Sequence, residues 1–259
     1  MTDLDDLMTP CLVADQDKIQ ANAARMTRRA TEHGVGLRPH LKTAKSADVA
    51  WIALGDHPAK LTVATLNEAR YFLAAGFADL LYAVCITPNK FSECARLVQQ
   101  GAHLTLIIAD TSVAAALVDF CADRPAGFFE VMIEIDCGEH RTGLSPRDPQ
   151  LVKLARTLDA AAGIRFAGVM THGGHAYGAT TIQAVRDIAE DERLAVIEAS
   201  SLIETAGIQV PVRSIGSTPT VIHAQTFEGI NEIRPGVYLF GDLFQAQLDT
   251  CRIEDIAVS

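Results

Sequence analysis

The chain has 259 residues, of which 49% are hydrophobic and 21% charged, and this is enough to bury the core of a single globular domain. Its net charge of −10 at pH 7 argues against a nucleic-acid-binding protein, because such proteins usually present a basic surface. No apolar run approaches the roughly 18 residues of a membrane-spanning helix, and the acidic first six residues have neither the basic nor the apolar region of a signal peptide.

The six cysteines are separated from one another in the sequence, and no Cys-x-x-Cys pair occurs. A disulfide framework or a structural zinc site usually shows closely spaced cysteines. We therefore expect free thiols and a reducing, cytoplasmic location.

The first predicted elements are a strand and a helix. Residues 9–14 form a short apolar run that predicts a strand, and residues 15–29 have the periodicity of a helix. Further along, the spacing of Thr65 and Glu68 is that of a capping box. It predicts the start of a helix that ends near Gly76.

Predicted strands and helices then alternate to the end of the chain. The strands span residues 60–64, 79–84, 103–109, 128–135, 164–171 and 210–215. The other helices span residues 46–54, 88–100, 112–122, 149–162 and 180–205. Residues 232–240 contain at least one more strand, interrupted at Pro235-Gly236, and residues 253–259 alternate like the beginning of another. This order predicts parallel strands in a closed (β/α)8 barrel, with an open doubly wound sheet as the alternative.

Lys42 is the first candidate for chemistry. It lies between a Gly-rich turn and the helix predicted for residues 46–54, where a strand should end and a ligand site begin. A lysine amine attacks a carbonyl group only when its pKa falls well below about 10.4. The nearby cations Arg38 and Lys45 would lower that pKa. The alternative is a solvated surface lysine.

The segment around Lys42 resembles a known cofactor-binding sequence. Arg38-Pro39-His40-Leu41-Lys42-Thr43 is similar to the lysine segment of fold-type III pyridoxal phosphate (PLP) enzymes, in particular the D-serine dehydratase and D-threonine aldolase family. This resemblance implies a TIM barrel like the alanine racemase N-terminal domain over residues 9–242. It also implies that residues 243–259 begin a C-terminal β domain that is otherwise missing. Ala44 departs from the histidine that this family usually has at that position.

Three later segments carry the rest of the resemblance. In the segment 134–143 the family pattern places an arginine at the cofactor ring nitrogen, which here is Arg141; Asp136 is either a helper or a turn residue. In the segment 171–178 the resemblance implies that His172 and Tyr177 contact the cofactor. A metal pair formed by His172 and His175 is the alternative for that segment. The phosphate is expected at Gly216, Ser217, Thr218, Gly236 and Tyr238, and His40 is a further cofactor-binding candidate.

The implied activity is that of a PLP-dependent lyase. Lys42 would hold the cofactor and then remove the α-proton of a D-amino acid that carries a β-hydroxyl group, with Tyr177 as the second catalytic candidate. D-Serine would give pyruvate and ammonia. The alternatives are a D-threonine or D-3-hydroxyaspartate aldolase and a non-catalytic PLP-binding protein.

The resemblance also bears on metals and partners. It implies a zinc or other divalent ion in full-length relatives, held by a His-x-Cys pair that this chain lacks, so no metal ligand is assigned here. The expected partners are a small D-amino acid and a second copy of the chain in a homodimer, with no nucleic acid and no membrane.

Overall fold

The computed structural model describes residues 4–55 and 57–259. Within them, eight strands form one parallel sheet in the order β1-β8-β7-β6-β5-β4-β3-β2. The strands are β1 (Gly36–Leu37), β2 (Lys60–Val63), β3 (Asp79–Cys85), β4 (His103–Ile108), β5 (Phe129–Ile135), β6 (Ile164–Thr171), β7 (Val212–Ile215) and β8 (Glu232–Ile233). A parallel bridge between His40 and Thr62 joins the ends of the sheet, beyond β1 and within β2. The result is the predicted barrel in nearly closed form, and the open-sheet alternative is wrong.

Helices follow the strands on the outside of the barrel. In the described residues they are α1 (Gln16–Glu32), α2 (Ala47–Leu54), α3 (Leu66–Ala74), α4 (Phe91–Gln99), α5 (Thr111–Cys121), α6 (Gln150–Asp159), α7 (Ile182–Thr205), α8 (Thr218–His223) and α9 (Leu243–Gln247). Local chemistry fixes several starts, because an oxygen of Asp15, Ser46 or Thr181 accepts a hydrogen bond from a first-turn N–H. The long predicted helices are confirmed to within a few residues. The short α8 and α9 were not predicted.

The two ends of the described chain differ from prediction. Residues 9–14 are not a barrel strand, because their only bridge joins Ala14 to Val258 in antiparallel orientation. Val13 and Ser259 exchange two backbone hydrogen bonds of 2.9 and 3.1 Å. The predicted strand at 253–259 is instead a 3-10 turn, Ile253–Asp255, followed by this short pairing. The division of the chain at residue 242 stays a prediction.

Two further details correct the predicted elements. Residues 232–240 contain only the two-residue β8, after which Val237–Leu239 forms a 3-10 turn. The capping box at the start of α3 is half formed. Thr65 accepts a bond from the Glu68 N–H at 3.0 Å, but the Glu68 carboxylate turns to the N–H of Ala64, at 2.8 Å.

The core of the described residues has a large part between the sheet and the helices, a second part inside the barrel, and a small third cluster of Ala176, Val185 and Leu248. Inside, small and flexible apolar side chains fill the centre: Leu81, Ile107, Met132, Ala167 and Met170. At the N-terminal end of the strands, the buried Arg38 guanidinium binds Glu232 at 2.8 Å and Asp79 at 2.7 Å. This end of the barrel is therefore closed by paired charges, and the opposite end is free to hold a ligand.

Gly168 allows strand β6 to lie close to strand β7. This residue has a φ of +133°, and a Cβ atom placed there would overlap the carbonyl oxygen of Val212. Only glycine fits both the backbone conformation and the space.

Within the part of the chain that the structure describes, no helix has the length and apolar character needed to cross a bilayer. The first three residues of the acidic start, where no signal peptide is predicted, lie outside the described residues.

Candidate functional site

Lys42 lies in the turn that follows β1, at the C-terminal end of the barrel. Two backbone hydrogen bonds of 2.9 Å, from Leu41 to Thr62 and from Thr62 to Pro39, attach this turn to β2. A further bond of 2.8 Å from the Lys45 N–H to the Leu41 carbonyl folds the turn back on itself. The position of Lys42 is thus set by the barrel closure and not by a long strand.

Several strand ends meet at Lys42 and enclose a small polar pocket, which we call the lysine cavity. It is lined by His40, Lys42, Ala83, Met170, His172, Gly216 and Arg234. These residues come from five places in the sequence and meet only because parallel strands end at the same rim. Four of the predicted site residues, His40, Lys42, His172 and Gly216, line it together.

The environment lowers the pKa of the Lys42 amine. Burial is the largest cause, because it disfavours the charged form, and the Arg141 guanidinium is the next. The carboxylates of Glu139 and Glu68 oppose the shift. A cationic neighbour was expected, but its identity was wrong: Arg38 lies at the other end of the barrel, and Lys45 pairs with Glu68 at 3.5 Å.

Both histidines of the lysine cavity are held neutral. Burial, partly offset by the Gly216 carbonyl, lowers the pKa of His172 to about 3. Its Nδ1–H donates to the Gly216 carbonyl oxygen at 2.8 Å, so its Nε2 carries the lone pair. The pKa of His40 is also far below its usual range, through burial first and then the charges of Lys42 and Arg234. Neither ring adds a positive charge near neutral pH.

Arg234 is the buried cation of this cavity. Its guanidinium donates to the hydroxyl of Ser214 and to the carbonyl of Thr171, and Ser214 donates in turn to Glu232 at 2.6 Å. Arg234 was not among the site residues predicted from the sequence, although the neighbouring Gly236 and Tyr238 were. A sequence signal existed, because Arg234 directly follows the strand β8 at the rim of the barrel.

The loop after β5 holds Arg141. Asp136 organises this loop by accepting bonds from the N–H groups of Gly138 and His140, at 2.9 and 3.0 Å, and from the His140 ring at 2.8 Å. Asp136 is therefore a turn residue, the second of its two predicted roles. The side chain of Arg141 is 54% exposed and pairs with Glu139 at 3.2 Å. Its assignment to a cofactor ring nitrogen stays a prediction.

The loop after β6 places Tyr177 outside the lining of the lysine cavity, in a short segment that contacts α8. Its ring stacks on Phe244, with 6.2 Å between the two centroids. Burial and the Asp242 carboxylate raise the pKa of Tyr177 to about 12. Among the described residues no group of three or more His, Cys, Asp or Glu side chains could hold a metal ion, so the alternative of a His172–His175 metal pair finds no third ligand.

The predicted phosphate residues form a second group, the α8 loop cluster: Gly216, Ser217, Thr218, Gly236 and Tyr238. The Ser217 hydroxyl accepts a bond from the Thr220 N–H at 3.3 Å, and the Thr218 hydroxyl accepts from the N–H groups of Gly236 and Tyr238, each at 3.3 Å. Both hydroxyls thus brace the loops internally. The Tyr238 phenol is fully buried with no partner among the described residues.

Glu192 is a buried carboxylate near these loops that was not predicted from the sequence. Glu192 lies on α7 and is completely buried, and its Oε1 accepts the N–H groups of Gly173 at 2.7 Å and Gly216 at 2.9 Å. A signal was present: the buried positions of α7 recur every three or four residues, and Glu192 falls among them.

Several known proteins are similar to this chain in sequence and in fold. The family model described as "Alanine racemase, N-terminal domain" matches residues 14–243. D-threo-3-hydroxyaspartate dehydratase of Delftia sp. (strain HT23) is 41% identical over 254 residues, covering 98% of this chain and 66% of that protein. Its solved structure superposes with a TM-score of 0.94 and covers 98% of this chain and 67% of that chain.

Two other relatives are named for different reactions, one as a dehydratase and one as an aldolase. D-serine dehydratase of Dictyostelium discoideum is 31% identical over 271 residues, covering 99% of this chain and 68% of that protein. 3-Hydroxy-D-aspartate aldolase of Paracoccus denitrificans (strain Pd 1222) is 28% identical over 243 residues, covering 93% of this chain and 62% of that protein. The chain thus spans about two thirds of the length of these relatives.

Proposed function

Because this chain belongs to the alanine racemase N-terminal domain family of fold-type III PLP proteins, we propose that it is the cofactor-binding barrel of a lyase that acts on D-amino acids with a β-hydroxyl group. The observation that carries the proposal is the placement of Lys42, an amine with a lowered pKa, in a cavity with two neutral histidines. The greater identity to the two dehydratases, compared with the aldolase, favours elimination as the reaction.

The donor set of the rim fits PLP. An uncharged lysine amine suits the aldehyde, and the lowered pKa increases the uncharged fraction near neutral pH. The α8 loop cluster is the proposed phosphate site, and close packing within the chain fixes its two glycines: a Cβ on Gly236 would lie 2.5 Å from the His40 carbonyl oxygen, and one on Gly216 would lie 2.9 Å from the Arg234 backbone nitrogen. When bound, PLP supplies the electron sink for charge that develops at the substrate Cα.

The chain's own residues would bind, orient and move protons. Lys42 would hold the aldehyde of PLP, and its Nζ would accept the α-proton of the substrate. The His172 ring, fixed by its bond to the Gly216 carbonyl, presents an unprotonated Nε2 to the lysine cavity. We assign the ring-nitrogen contact to Arg141, a further cofactor contact and second catalytic role to Tyr177, and the phosphate to the α8 loop cluster.

A metal, a partner and a location belong to the same proposal. A divalent ion of the kind implied for full-length relatives has no ligand group of three or more in the described residues, and no step above uses one. A homodimer is supported by the exposed Leu243 and Phe244 beside Tyr177. A cytoplasmic location is supported by the cysteines, all free in the described chain.

Reductive trapping tests the cofactor assignment. PLP is added to the protein, borohydride reduces the imine, and peptide mapping locates the label. We expect the label on Lys42 and none in Lys42→Ala. Lys45→Ala is the matched control, because Lys45 lies three residues away on the surface and should not affect labelling. Equal labelling of the parent and Lys42→Ala would refute the site.

Product analysis tests the reaction. D-Serine should yield pyruvate and ammonia, and D-threo-3-hydroxyaspartate should yield oxaloacetate and ammonia by the same elimination. An aldolase would instead release glycine, together with acetaldehyde from D-threonine. PLP bound at Lys42 without turnover of any of these compounds would support the non-catalytic alternative.

A further inference from the structure

Glu192 is the one acidic residue on the buried face of α7. That face otherwise consists of small or apolar side chains: Val185, Ala189, Ala195, Val196, Ala199, Ser200 and Ile203. A carboxylate at such a position costs free energy unless it is well hydrogen-bonded. A carboxylate in this position therefore calls for a role that an apolar residue could not fill.

The contacts of Glu192 connect two strand ends. Its Oε1 accepts from the N–H of Gly173, two residues after the end of β6, and from the N–H of Gly216, directly after β7. Its Oε2 is buried without a partner among the described residues. One side chain from outside the barrel thus holds together two of the loops that form the rim.

Both glycines that bind Glu192 are linked directly to His172 of the lysine cavity. Gly173 directly follows His172, and the carbonyl of Gly216 accepts the His172 Nδ1–H at 2.8 Å. Glu192 therefore binds the N–H of the residue whose carbonyl orients the histidine ring. Larger residues would not fit, because a Cβ on Gly173 would lie 3.2 Å from the Glu192 carboxyl carbon and Gly216 has a φ of +130°.

We propose that Glu192 is a positioning residue: it fixes the loops after β6 and β7 so that His172 and the α8 loop cluster are oriented before the cofactor binds. The link to PLP rests on the proposed function. The orientation of the His172 ring does not, and it can be measured in cofactor-free protein.

Two substitutions separate a hydrogen-bond brace from a buried counter-charge. Glu192→Gln removes the charge but keeps a carbonyl oxygen that can accept both N–H groups. Glu192→Asp keeps the charge but withdraws the oxygen by one methylene. If Glu192 serves mainly as a counter-charge for the nearby Arg234, Glu192→Gln should be the more damaging variant. If Glu192 serves as a hydrogen-bond brace, Glu192→Asp should be the more damaging one. Ile203→Val, on the same buried face of α7, is the control for a general weakening of the helix.

The experiment measures the PLP dissociation constant by absorbance titration and the His172 ring tautomer by ¹⁵N NMR without cofactor. Because losing a hydrogen bond to a buried group is worth up to about one order of magnitude in binding, Glu192→Asp should raise the dissociation constant about ten-fold. By the same reasoning Glu192→Gln should stay within about three-fold of the parent, and Ile203→Val within about two-fold. The Nδ1–H tautomer should dominate in the parent and Glu192→Gln and decline in Glu192→Asp.

Several results would overturn the proposal. Parent-like affinity and tautomer in Glu192→Asp, with only a lower melting temperature, would make Glu192 merely structural. A large loss of PLP affinity in Glu192→Gln would show that the charge of Glu192 matters and not its hydrogen bonds. If Glu192→Asp does not fold, the result for Glu192→Gln alone decides between the two explanations. If the parent protein does not bind PLP, the proposed function is wrong. The positioning role of Glu192 is then tested by the His172 tautomer in the cofactor-free variants.

Discussion

Lowering the pH should destabilise the cofactor-free protein through His172. The folded structure keeps this imidazole neutral, because burial lowers its pKa to about 3. In the unfolded chain the same group has a pKa of about 6.5. Between these two values the unfolded state binds one more proton than the folded state, so stability rises with pH throughout this window. Stability from this source is complete above about pH 6.5 and declines as the pH falls towards 3.

The size of the effect follows from the two pKa values. Well inside the window, each pH unit is worth about 1.4 kcal/mol per histidine. From pH 7 to pH 5, His172 alone should therefore remove about 2 kcal/mol of unfolding free energy. For a domain of this size that corresponds to a fall of about 4–8 °C in Tm. His40 acts in the same direction, because burial also lowers its pKa.

Urea unfolding at pH 5, 6 and 7 measures this effect. His172→Asn removes the titrating ring but keeps an N–H donor near the position of Nδ1. The slope of its unfolding free energy against pH should therefore be smaller than that of the parent by the contribution of nearly one proton. Met170→Leu, which changes another wall residue of the lysine cavity without a titrating group, should keep the slope of the parent. If His172→Asn and the parent lose the same stability between pH 7 and pH 5, His172 is not held neutral by the fold.

Three other substitutions test separate parts of the structure. Arg141→Gln should raise the pKa of Lys42, because it removes a nearby cation, and the pH at which imine formation with PLP is half complete should move upward. Gly168→Ala should cost at least about 2 kcal/mol, or prevent folding, because its φ and its space both exclude a side chain. Arg38→Met should cost about 3–5 kcal/mol by chemical denaturation, because it leaves Glu232 buried without its cation.

Each of these has a matched comparison. Arg141→Lys keeps the charge and should leave imine formation near its parental pH; an equal shift in both variants would contradict the electrostatic explanation. Gly178→Ala enters open space and should be close to neutral, and a mild Gly168→Ala would show that β6 and β7 can separate. The double variant Arg38→Met, Glu232→Gln should recover stability, whereas continued loss would assign the defect to packing.

Periodicity predicted the middle of the chain well because local sequence decides those elements. The helix predicted for residues 180–205 is α7, Ile182–Thr205, and the strand predicted for residues 164–171 is β6. Buried residues of α7 recur every three or four positions, whereas β6 is a short and almost continuously buried run that is bounded by turns. Caps such as Ser46 and Thr181 then fix the helix starts with their own side chains.

Prediction was least accurate where a strand depends on a distant partner. β1 and β8 have two residues each and pair with one another across nearly 200 positions, at Gly36–Glu232 and Leu37–Ile233. A strand was predicted within residues 232–240, but so short a strand carries too little pattern to fix its bounds. Residues 9–14 do carry one, but they pair only through Ala14 with Val258 and lie outside the barrel.

The sequence by itself determined the alternation of strands and helices and the candidates Lys42 and His172, because chain-local spacing and resemblance carry that information. Only the tertiary structure decided which charges meet. In the folded chain Arg38 lies at the closed end of the barrel and Arg141 lies near Lys42. Glu192 binds backbone N–H groups of the loops after β6 and β7. The reason is that electrostatic and hydrogen-bond energies depend on distances in space, and parallel strands bring together residues that are far apart in the chain.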